Sequence, residues 1–263
     1  VKSFGRATLK ALLLPATDFW HGLERSLVAG WRALAWLSAG LLASWWLYVP
    51  VHELLHAAAC RLAGGEVTRL QIAPLYGGAW LARLLPFVSA GGDYAGRLSG
   101  FDTHGSDLVY LAADLGPFVL TVFPGVWWLR RAARRAHHPR LAPPAWRASL
   151  FGAALPVALA PFLSLTGDAY EIGSILVTRL PPWSAPAARL LLRGDDLGLR
   201  LDAIAARSSP GHLWTGALLA TLAGLAWALV TYGAGSALAT AAGEPPLAAD
   251  AARRPAASDS SGA

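Results

Sequence analysis

"VPVHELLHAAAC", residues 49–60, sets two histidines and a glutamate inside a run that otherwise reads as apolar helix. Residues four apart on a helix project from one face, so His52 and His56 come close enough to hold a single metal ion through ring nitrogens. Glu53 stands beside them. In the order His-Glu-x-x-His the histidines ligate zinc, which lowers the pKa of a bound water from roughly 15.7 to about 7. The glutamate takes that water's proton and can return it to a leaving amine.

A catalytic zinc site keeps three protein ligands and one open position, so a third ligand must come from elsewhere. We expect Asp168, in "SLTGDAYEIG", residues 164–173. An isolated aspartate in an apolar span costs about 2.5–3.5 kcal/mol and needs a partner, which zinc would provide. With Glu53 and Glu171 the cost approaches about 7–10 kcal/mol, against about 10–16 kcal/mol contributed by structural zinc in small peptides. Asp114 in "AADLGP" and Glu171, one turn beyond Asp168, compete for the third position, and Glu171 can alternatively orient a ligand. Hydrogen bonds to Thr166, Tyr170 or backbone freed at Gly167 are the non-metal alternative for Asp168. Cys60, four residues after His56 near the same stripe, could offer a thiolate but reads first as a small buried residue, and as the single cysteine it excludes an internal disulfide.

Outside the motif, 55% of the 263 residues are hydrophobic and 14% charged, too apolar for an ordinary soluble domain of this length. Four segments are long enough to cross a hydrocarbon core: 33–51 with its continuation to 63, 108–129, 148–178 and 213–242. Tryptophans recur near their ends, as interfacial anchors do. The expected fold is an all-α membrane protein of about four transmembrane helices, with a short β-strand or hairpin after the His-Glu-x-x-His helix. We place it as an integral protein of a bacterial plasma membrane.

Residues 1–32 read as an amphipathic lead-in lying at the interface, 33–242 as a polytopic membrane domain, and 243–263, poor in bulky apolar residues, as a disordered tail. "EVTRLQIAPLYGG", 66–78, suits a strand closed by Pro74 and a glycine pair. "FDTHGSD", 101–107, reads as a polar turn leading into a helix capped by Ser106 or Asp107 rather than as a second metal site. Pro117, Pro124, Pro156, Pro161 and Gly167 should break the middle spans, and the last span, without an ionisable group, reads as a packing helix. The net charge of +6 gathers in loops, above all "RRAARRAHHPR" at 130–140, where His137 and His138 read as solvated; this points to a cytoplasmic loop and not to nucleic acid.

These residues resemble the site-2 protease family of intramembrane zinc metalloproteases. The resemblance rests on HELLH in a membrane helix, then "AAACRLAGGEVTRLQIAPLYGG", then Gly116-Pro117 in the next span and an aspartate in the following one, over roughly residues 40–175. It implies zinc held by His52, His56 and Asp168, Glu53 as catalytic base, and a membrane-embedded protein as substrate. Phe118 to Thr121 lack the asparagine that usually follows the family's Gly-Pro, and Gly167 precedes the aspartate instead of following it. The family usually faces its site to the cytoplasm, whereas the basic residues place the loop after HELLH on the other side.

Two further function classes stay open beside the protease. A non-proteolytic membrane protein could keep the metal for structure, sensing or partner binding, and a small transporter could use the buried carboxylates. For a protease, the 66–74 strand would hold unwound substrate by edge pairing, since an intact helix shields its carbonyls.

Overall fold

The structure, a computed structural model, describes residues 2–136, 144–207 and 211–252; His137 and His138 lie outside them. Its elements are α1 (Lys2–Ser26), α2 (Trp31–Leu62), β1 (Glu66–Ile72), α3 (Gly78–Leu84), β2 (Val88–Ala90), β3 (Gly96–Asp102), α4 (Asp107–Leu115), α5 (Val126–Ala136), α6 (Ala148–Leu163), α7 (Asp168–Val177), α8 (Pro186–Leu192), α9 (Leu197–Ala206), α10 (Gly211–Ala241) and α11 (Leu247–Ala252). Four helical stretches, Trp31–Leu62, Asp107–Ala136, Ala145–Val177 and Gly211–Ala241, are long and apolar enough to cross a membrane. Leu42, Leu47, Leu218, Leu222 and Val230 on these stretches are exposed. Apolar side chains turned outward suit a hydrocarbon solvent.

The chain divides into two compact units. One comprises residues 1–43, 122–158 and 232–263. Here α1 packs against α5 and α11. Tertiary contacts hold it in place. Arg130, read as part of a solvated basic loop, lies in α5 with no exposed surface, its guanidinium 2.7 Å from the equally buried Asp18 carboxylate of α1. Arg130 also donates to the Ser236 hydroxyl and the Glu244 carbonyl, and Asp18 accepts from the Tyr232 hydroxyl and the Leu247 amide. A buried charge is tolerated when paired and fully hydrogen-bonded, as here. The same bonds hold residues 244–252 in this unit, with Glu244 and Leu247 buried, while 253–263 lie outside the described residues.

The other unit comprises residues 44–121 and 159–231. In it α2 closes at Gly64, whose φ of 93° is left-handed, and the Gly65 amide donates to the Cys60 carbonyl. The chain then enters a three-stranded sheet ordered β2-β1-β3, with β1 parallel to β2 and antiparallel to β3. Val67, Leu70 and Ile72 point inward; the break in strict alternation between Val67 and Leu70 falls at a register shift, as a bulge requires. They pack with Ala57 and Cys60 of α2 and Val109 and Ala113 of α4 in one core cluster. β1 is thus the central strand, paired with β3 along its length and with β2 only at Leu70, Gln71 and Ile72, so its 70–72 end is not open to a substrate strand. Ser106 caps α4 by accepting from the Val109 amide at 3.4 Å.

The third spanning stretch opens between Leu163 and Asp168, so α7 begins at Asp168. Its burial is nearly complete, and it packs closely on α10, where a β-carbon at Gly224 would overlap the Ala169 carbonyl and one at Gly173 the Ala220 carbonyl. Small residues at such crossings let two membrane helices approach backbone to backbone.

Candidate metal centre

Tyr48, His52 and His56 form a stripe down α2, one turn apart, with ring centroids 5.2 and 4.7 Å from one to the next. Asp168 reaches the same point from the first turn of α7, where the positive end of the helix dipole favours a carboxylate. Its Oδ2 lies 3.0 Å from His52 Nε2 and 3.6 Å from His56 Nε2, and the two Nε2 atoms are 3.1 Å apart. Among the described residues these three side chains are the one set of histidine, cysteine or carboxylate groups whose ligand atoms all fall within 4.8 Å of one another.

The outer hydrogen bonds fit a metal as well. His56 Nδ1 lies 2.8 Å from the Ala113 carbonyl, which can only accept, so Nδ1 carries the proton and the Nε2 lone pair faces the cluster. His52 Nδ1 meets the Tyr48 hydroxyl at 2.8 Å. Fixing the outer ring nitrogen in this way sets tautomer and ring orientation for a ligand. Two imidazole nitrogens and a carboxylate oxygen make a donor set suited to zinc, with room for a fourth position.

Glu53 is nearly buried and lines cavities on both sides of it. Gly96, at the start of β3, is what leaves it space, since a β-carbon there would overlap Glu53 Cγ. One cavity, about 340 Å³, is polar and includes His56, Asp114, Asp168 and Glu171; the other, about 230 Å³, includes His52 with Trp45, Val49, Ala160 and Leu163.

The other candidates fall elsewhere. Asp114 and Glu171 line the polar cavity outside the three-atom cluster. Cys60 sits in the core between α2 and the sheet. Asp107 pairs with Arg193 at 2.7 Å and Arg179 at 3.2 Å, and His104 with Asp102 at 3.4 Å, which leaves the 101–107 turn without a shared ligand point. Sequence reasoning passed over two residues. Tyr48 was available from its spacing of four before His52, whereas nothing in the sequence links Gly96 to Glu53.

Comparison of the chain with family models, curated proteins and solved structures gives no match.

Proposed function

We propose that the protein is an intramembrane zinc metalloprotease of the site-2 protease kind, acting on membrane-embedded protein substrates. The observation that carries this reading is the convergence of His52, His56 and Asp168, from two apolar helical stretches, beside a nearly buried Glu53 that faces two cavities. The four spans support a membrane location, proposed here as a bacterial plasma membrane.

His52 and His56 through Nε2, and Asp168 through its carboxylate, would hold the zinc ion. Bound there, zinc would supply a Lewis acid and make water a nucleophile near neutral pH. Glu53 takes a proton from the water that attacks the peptide carbonyl carbon and delivers it to the amide nitrogen as the C–N bond breaks. Tyr48 and the Ala113 carbonyl keep the two imidazoles oriented through that cycle. Substrate enters as an unwound segment, and the outer edge of β3, which begins beside Glu53, offers the amides and carbonyls to hold it extended.

Replacing Glu53→Gln tests the assignment. The variant should keep its zinc and lose at least about 10²-fold in cleavage rate, the contribution expected of a general base. Undiminished cleavage by Glu53→Gln would overturn the mechanism.

One observation favours a second reading, a non-proteolytic membrane protein that uses the metal for structure, sensing or partner binding. Where the resembling family carries an asparagine after Gly-Pro, this chain places Phe118, which is buried, and no amide through Thr121. Under that reading Glu53→Gln leaves function intact while His56→Ala removes it.

A further inference from the structure

The polar cavity carries charges that the proposed hydrolysis leaves unused. Asp114 and Glu171 line it beside His56 and Asp168, and both are more than nine-tenths buried. Asp114 Oδ2 has no hydrogen-bond partner among the described residues, and the Glu171 carboxylate accepts from the Tyr110 hydroxyl. Among the described residues neither carboxylate forms an ion pair. Of the two arginines on the same cavity wall, Arg97 pairs with Asp195 at 3.0 Å, and Arg200 donates through one terminal nitrogen to the Leu190 and Arg193 carbonyls while its Nε has no partner among the described residues; neither bonds Asp114 or Glu171. A buried carboxylate in an apolar setting is costly unless a cation pairs with it or a proton neutralises it, and among the described residues no cationic side chain bonds Asp114 or Glu171.

The geometry separates a metal ion from an organic cation. A hard divalent ion wants several oxygens converging at about 2.0–2.6 Å. Among the described residues Asp114 and Glu171 belong to no set of three histidine, cysteine or carboxylate groups whose ligand atoms lie within 4.8 Å of one another. An ammonium or guanidinium on a flexible stem, with three to five donors, can bond two carboxylates without a third ligand converging on the same point. Across Glu53 the second cavity has the opposite character, lined by Trp45, Val49, Ala160 and Leu163. Glu53 and Gly96 border both.

We infer that the polar cavity is a specificity pocket for a lysine or arginine side chain of the substrate close to the bond to be cut, with Asp114 and Glu171 as its acceptors and an apolar residue seated across Glu53. This assignment rests on the protease reading and names the substrate class that reading leaves open.

The test compares membrane-helix peptides that differ only by lysine or norleucine at one position, scanned through the residues flanking the cleaved bond. With the zinc-loaded protein, lysine should raise kcat/KM at least about tenfold at one of these positions. In the Asp114→Asn, Glu171→Gln double variant that ratio should fall to about one; a ratio of two peptides on one protein does not move when folding losses lower both rates alike. The same ratio is read as affinity with Glu53→Gln protein, which needs no turnover. A ratio near one at every position in the unmutated protein, or a preference that survives the double variant, overturns the pocket and leaves the protease intact. Cleavage of neither peptide overturns the protease, and the affinity ratio then still decides the pocket.

Discussion

Gly96 lies against Glu53 so closely that a β-carbon added to it would stand 2.8 Å from Glu53 Cδ and overlap Cγ. The space for the proposed catalytic carboxylate is thus left by a residue of the sheet and not by α2 alone. Gly96→Ala should push Glu53 aside, lowering cleavage by at least about 10²-fold while zinc content stays at the unmutated level. Metal analysis beside kcat/KM checks it; full activity would show that Glu53 tolerates the displacement.

The Tyr48 hydroxyl holds His52 Nδ1 at 2.8 Å. Tyr48→Phe keeps the ring packing and deletes that bond, so zinc affinity should fall about 10- to 100-fold. Competition with a chelator of known affinity measures this, and an unchanged affinity would mean that packing alone orients His52.

Gly224 carries no ligand, yet it faces Ala169, the residue after Asp168. Gly224→Val must separate α10 from α7, at about 1–3 kcal/mol for overpacking, and should weaken zinc binding by moving Asp168. Substitution at Gly233, which has open space around its Cα, is the control and should leave zinc affinity unaltered.

The Asp18–Arg130 pair should matter for stability out of proportion to its distance from any chemistry. Asp18→Asn leaves Arg130 buried without its counter-ion, and one-sided removal of a buried pair costs about 3–5 kcal/mol. Denaturation in detergent reads the loss.

Acid should loosen the end of the same unit. Burial alone would raise the Asp250 carboxyl, but the hydrogen bond from Arg25 and the neighbouring Arg134 outweigh it and hold Asp250 below the ordinary carboxylate range. A depressed carboxylate contributes stability above its unfolded pKa of about 3.9 and loses it as pH falls through the folded value. The loss should stay within about 1 kcal/mol because the pairs are partly solvent-screened. Protection factors for amide exchange in 247–252, taken against the intrinsic rate at each pH, should fall below about pH 4, and Asp250→Asn should abolish that dependence.

How far the chain explains itself varies with the range of the interaction. His52, Glu53 and His56 declare their relation through helix period, Gly64 and Gly65 mark the end of that helix, and the β-branched residues and leucine of β1 declare a strand. Asp168 is conspicuous because carboxylates are rare in apolar spans, although its place in the first turn of α7 is visible only after the break at 164–167 is seen. β3, GRLSGFD, has no β-branched residue and reads as loop, because pairing with β1 and not propensity makes it a strand. Arg130 looks like a solvated charge because its partner Asp18 is 112 residues away. Leu247 and its neighbours look like a disordered tail for the same reason, since Asp18 is also what binds the Leu247 amide.

The central claim is that His52, His56 and Asp168 hold one zinc ion. Metal analysis of the purified protein beside His56→Ala and Asp168→Ala variants tests it most directly. The account predicts one zinc per chain in the unmutated protein and its loss in both variants; no zinc in the unmutated protein, or full zinc retained in Asp168→Ala, would contradict it.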